Sequence, residues 1–148
     1  MRPLGIACKA SLILALFCWP GAVAHVPGFS GDKHGFDEAI QVDDATKSWA
    51  FYGELHEEKE AQYYRLDVGE GDRIYVELLV PTDPSQEGFV PDAVLMGPGL
   101  GAQGTPPEYV YVPDGYTTVL IRGAMPAKAT YEGFSPSSFY SLIHLEVA

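Results

Sequence analysis

The sequence predicts an all-β domain, an antiparallel β-sandwich or jelly roll, and three observations carry that prediction. Short runs rich in Val, Ile, Leu, Tyr and Phe recur through residues 38–147, which suits pleated, half-buried strands. Clusters of Gly, Pro, Asp and Ser separate these runs and read as turns. No stretch after residue 24 repeats apolar residues at helical spacing. The chain carries 16 glycines and 12 prolines in 148 residues, so long helices have little room.

The first 24 residues, "MRPLGIACKASLILALFCWPGAVA", stand apart. Arg2 and Lys9 give a positive start, and Ser11–Trp19 form an apolar run. That run is shorter than the ~20 residues needed to span a bilayer. Pro20 and Gly21 break it, and Ala22 and Ala24 supply the small residues of a cleavage site. The segment therefore reads as a secretory signal peptide cut after Ala24, and the chain as secreted to the periplasm, the cell surface or beyond. Residues 25–37 read as an extended, glycine-rich arm, and 38–148 as the sandwich domain.

The strands follow in order. Glu38–Val42 alternates and ends at the turn residues Asp43 and Asp44. Ser48–Leu55 is aromatic-rich, and Ala61–Val68 follows the charged turn "HEEKE". "GEGD" (Gly69–Asp72) joins that run to Arg73–Val80, and the pattern predicts a hairpin. Ile74, Val76 and Leu78 then share one face, and Arg73, Tyr75 and Glu77 the other. "DAVLMG" (Asp92–Gly97) is a short strand between two loops. Tyr109–Val112, the turn "PDG" and Tyr116–Arg122 predict a second hairpin. Residues 123–138 read as irregular. Phe139–Val147 is the last strand, with Tyr140, Leu142, His144 and Glu146 alternating against Phe139, Ser141, Ile143, Leu145 and Val147. It stops at Ala148 with no closing turn, so it reads as an open edge, and a sandwich truncated at its C-terminus stays open as a reading.

"AQYYRLDVGEGDRIYVELLVP" followed by "PDAVLMGPG" resembles the bacterial and archaeal pre-peptidase C-terminal domains, small secreted jelly-roll modules. Tyr63, Tyr64, Leu66, Val68, Gly71, Ile74, Val76, Leu78, Asp92, Val94, Leu95, Gly97 and Pro98 fit that pattern. The stretch 48–98 is also similar to uncharacterised exported proteins. The resemblance implies a jelly-roll fold and an accessory or binding role. It departs from the family in that no protease domain precedes it and no further pair of strands follows.

Charge and cysteine content narrow the partners. Both cysteines, Cys8 and Cys18, lie in the leader, so disulfides cannot staple the domain after cleavage. The whole chain has 9 basic and 20 acidic residues; losing Arg2 and Lys9 leaves 7 against 20, a charge of −13. Such a field repels nucleic acid and anionic lipid and leaves neutral glycans, basic proteins and cations as partners.

Candidate chemistry follows from side chains. Cleavage after Ala24 would put an amine and an imidazole on His25, a pair that suits copper. His34, His56 and His144 are candidate second ligands, with Asp32 or Asp37 as an oxygen donor. His25 with His34 is the first metal pair to test, and copper handling is the alternative to a binding module. Asp43, Asp44, Asp83, Glu87 and Asp114 sit in turns where a structural calcium finds oxygens, although no D-x-D-x-D-G loop is present. Asx turns account for the same residues. Tyr109, Tyr111 and Tyr116 form a candidate surface for sugar rings or a protein partner. Trp49, Phe51, Tyr63 and Tyr64 read as core. No G-x-S-x-G or H-E-x-x-H motif occurs, and no catalytic residue is assigned.

Overall fold

The computed structural model describes residues 25–147. The expected leader and Ala148 lie outside them. Among the described residues there are nine strands and no α-helix. No helix there is long and apolar enough to cross a membrane. The strands are β1 (Val26–Phe29), β2 (Ile40–Val42), β3 (Trp49–Tyr52), β4 (Tyr64–Leu66), β5 (Ile74–Pro81), β6 (Ala93–Gly97), β7 (Thr117–Ile121), β8 (Thr130–Glu132) and β9 (Ser137–Val147). Two single 3₁₀ turns, Phe36–Glu38 and Pro84–Gln86, interrupt the loops. The described residues are all-β, as the pattern of strand runs and turn clusters predicts.

The pairing is not antiparallel throughout. β1 lies parallel to β3 and β2 parallel to β4, each as a two-stranded sheet. β5, β9 and β8 form an antiparallel three-stranded sheet in the order β5-β9-β8, and β6 pairs antiparallel with β7. These sheets are small and do not close on one another. Parallel pairs need long crossovers, and the chain between β1 and β3 supplies one that also carries β2.

Five local expectations are corrected. The Gly69–Asp72 turn forms, with Gly71 at φ +86° and the Asp72 amide donating to the Gly69 carbonyl at 3.1 Å. The strands on either side nevertheless part. β5 pairs with β9 over eight residues, and that apolar partner covers more of β5 than three-residue β4 could. Tyr109–Val112 is not a strand. Pro106, Pro107 and Pro113 flank it without amide donors, and the Tyr111 amide donates to the Tyr63 hydroxyl at 2.9 Å instead. β7 takes β6 as its partner. The arm contains β1, and the irregular stretch contains β8, whose turn into β9 is held by the Phe134 and Ser135 amides on the Glu132 carboxylate. Finally, β9 is a central strand rather than an open edge.

The core lies between β5 and β9. Val80, Leu142 and Ile143 are buried, at 3%, 5% and 4% exposure. Around them pack Leu78, Phe89, Tyr140 and Leu145, with Ala93 from β6 and Ile121 from β7. Simple alternation would put Leu142 and Ile143 on opposite faces. The ladder slips between Leu78 and Leu79: Leu78 opposes Ile143 and Leu79 opposes Ser141, so Leu142 is an extra residue on β9. A bulge of this kind re-aims the strand, and both neighbours turn inward. Trp49, Phe51 and Tyr63 are only half-buried and Tyr64 is 39% exposed, so the aromatics of β3 and β4 are not the core.

Candidate functional site

The parallel β1–β3 pair sets the site. Parallel strands release the chain at the same end, so residues after Phe29 and after Tyr52 leave side by side. The ladder continues one step beyond β1, where the Ser30 amide donates to the Tyr52 carbonyl at 2.9 Å. Ser30 is 1% exposed, and its hydroxyl pairs with the Tyr64 hydroxyl at 2.7 Å. Gly31 then takes φ +56° and turns the chain. Left-handed backbone of this kind favours glycine. Gln62 ties the two exits together, its amide nitrogen donating to the Glu54 carbonyl at 3.0 Å and to the Gly31 carbonyl at 3.4 Å.

Asp32, His34 and His56 meet there. One ligand atom from each lies within 4.8 Å of the others, and among the described residues no other group of three His, Cys, Asp or Glu does so. His56 Nε2 is 3.7 Å from Asp32 Oδ1 and 3.8 Å from Glu54 Oε2. The imidazoles of His34 and His56 stand edge to face with centroids 6.2 Å apart. His34 Nδ1 is buried without a hydrogen-bond partner and lies 4.0 Å from Glu60 Oε2. The His56 amide donates to that same oxygen at 2.6 Å. This bond is the main reason the Glu60 carboxyl is held below its ordinary value. Two imidazoles and a carboxylate are donors that suit zinc and copper(II).

The other sequence candidates are placed as follows. His25 is not in this group; its Nδ1 meets the Ser48 hydroxyl at 2.6 Å and its ring lies edge-on to Phe134. His144 pairs with the Tyr75 hydroxyl at 3.0 Å on the β5–β9 sheet. Asp37 is exposed in the first 3₁₀ turn. Asp44 accepts from the Thr46 amide and hydroxyl, and Asp83 from the Ser85 amide. Those two carboxylates are engaged in their own turns, as Asx geometry requires. Tyr109, Tyr111 and Tyr116 are 46%, 58% and 42% exposed. The Tyr111 ring leans on Phe36 at 5.1 Å, and Phe36 is capped by the Arg65 guanidinium at 5.4 Å. A shallow open concavity lies elsewhere, lined by Pro81, Asp83, Tyr131 and Ser138 among others.

Sequence reasoning named Asp32, His34 and His56 only as companions of His25. It had no way to group them with each other. The signal is a register: β1 and β3 partners are 23 positions apart, as Phe29 and Tyr52 are. His34 and His56 are 22 apart and so fall nearly level. No protein-family model, curated protein or solved structure matches this chain.

Proposed function

We propose that the chain is an exported, non-catalytic binding or accessory module of the β-sandwich, jelly-roll type. The leader-like first 24 residues support export. The resemblance of residues 48–98 to pre-peptidase C-terminal domains supports the accessory role, and the contact of β6 and β7 side chains with the β5–β9 core supports a sandwich-type packing. The observation that carries the reading is Tyr111. Its ring is more than half exposed yet is positioned from below by Phe36, while its amide is held by Tyr63. A positioned, solvent-facing aromatic loses little freedom on binding and offers its face to a sugar ring or an apolar side chain. The acidic surface selects against nucleic acid and anionic lipid and favours a neutral glycan or a basic protein face.

The test has two parts. Mass spectrometry of the exported protein should find His25 as the first residue. Binding to panels of neutral oligosaccharides and basic proteins should weaken about tenfold or more in Tyr111→Ala, the scale of a lost aromatic anchor. Hydrolytic turnover abolished by a single carboxylate substitution would sink the reading.

A further inference from the structure

We propose that Asp32, His34 and His56 form a binding site for one divalent transition-metal ion of the zinc class, with Glu60 positioning His34 and Glu54 placed as a fourth oxygen donor. This goes beyond the module reading and does not rest on it. It also does not use His25, so it is independent of where a leader would be cut.

Geometry is the first argument. Bonds of about 2.0–2.1 Å in a tetrahedral shell place ligand atoms roughly 3.4 Å apart. His56 Nε2 and Asp32 Oδ1 are already at 3.7 Å, and His56 Nε2 and Glu54 Oε2 at 3.8 Å. One ligand atom each from Asp32, His34 and His56 lies within 4.8 Å of the others. The side chains that must close the remaining gap are free to do so: Asp32 is 95% exposed and His56 53%. His34 is the less mobile member at 24%, so the others close onto it.

The state of His34 is the second argument. An ordinary surface ion pair would account for His56 between two carboxylates. It does not account for His34, whose Nδ1 is buried with no hydrogen bond. Buried polar atoms are normally satisfied. A metal on Nε2 would fix the tautomer with the proton on Nδ1, directed at Glu60 Oε2, now 4.0 Å away. Carboxylate–imidazole–metal relays of this kind orient the ring and raise its basicity. The Glu60 carboxylate is itself held by the His56 amide, so the second ligand's backbone fixes the first ligand's support.

Charge is the third. Residues 54–60 hold four glutamates and one lysine, and Asp32 adds a fifth carboxylate. A dication relieves that crowding. Gln62 already joins the two segments through the Gly31 and Glu54 carbonyls. The ion would fasten the same two segments a few residues further on.

The test is a titration of the full chain with zinc chloride, read by competition against a chromophoric chelator and by the histidine ring signals in NMR. The expected result is one ion per chain, with the ring signals of His34 and His56 shifting and that of His144 unmoved. Asp32→Asn and His56→Gln should each weaken zinc at least tenfold, and Glu60→Gln should weaken it less. Asp32 and His56 are exposed, so these two variants keep their fold and the comparison stands. Zinc affinity unchanged in both variants, or a shift confined to His25, overturns the proposal. Partner binding left unchanged by Tyr111→Ala, with the zinc titration intact, would overturn the module reading alone.

Discussion

Leu142→Ala tests the account of the core most directly. Leu142 is the extra residue of the β9 bulge, and it is 5% exposed beside Val80 and Ile143. Its neighbours Leu78, Phe89, Tyr140 and Leu145 are only partly buried. Leu-to-Ala changes in cores cost ~2–5 kcal/mol, the larger values where the site cannot collapse. A half-buried shell relaxes inward more easily, which places this change at about 2–3 kcal/mol. A domain of this size holds on the order of 5–15 kcal/mol in total. Three buried apolar side chains among the described residues put this one toward the lower end, so a third or more of its stability rests on Leu142. The matching fall in Tm is about 10 °C. Urea unfolding followed by tryptophan fluorescence measures the loss, with Leu79→Ala as the control. Leu79 is one step from the slip on the partner strand and 38% exposed; its truncation should cost about 1 kcal/mol. Equal losses for the two would refute the bulge as the device that turns Leu142 inward.

Two further outcomes are expected. Hydrogen bonds from the Thr46 side chain and amide hold the Asp44 carboxyl below its ordinary value, and those from Ser85 do the same for Asp83. A depressed carboxylate contributes stability above its unfolded pKa and loses it as pH falls through the lower, folded value. Asp44→Asn and Asp83→Asn should therefore flatten the acid limb of a Tm-against-pH curve, and an unaltered limb would show that these turns do not contribute. Gly123→Ala would put a Cβ 2.3 Å from the Pro91 carbonyl oxygen and 3.0 Å from Val90 Cγ1. Backbone cannot swing aside as a side chain can, so it should cost ~1–3 kcal/mol by overpacking, whereas Gly101→Ala, with nothing nearby, should unfold like the parent in the same urea series.

The sequence by itself determined the class and most strand positions. Period-two runs such as Ile74, Val76 and Leu78, cut by Gly and Asp turns, can be satisfied only by pleated backbone. Turn chemistry was equally local: Gly71 and Gly115 sit at positive φ, a backbone conformation that residues with a Cβ rarely adopt. Partner choice was not local. A strand's hydrogen bonds do not specify which strand receives them, so β5 could leave β4 for β9 and β7 could take β6. The β9 bulge was hidden for the same reason, since an alternating pattern reads identically on either side of an inserted residue until the opposite strand is known. The histidine group lay furthest from view. His34 and His56 are linked only through the parallel register of β1 on β3, and a register belongs to a pair of strands, not to either one. Tertiary structure alone decided that two loops 22 residues apart would bring their imidazoles within reach of one carboxylate, Asp32.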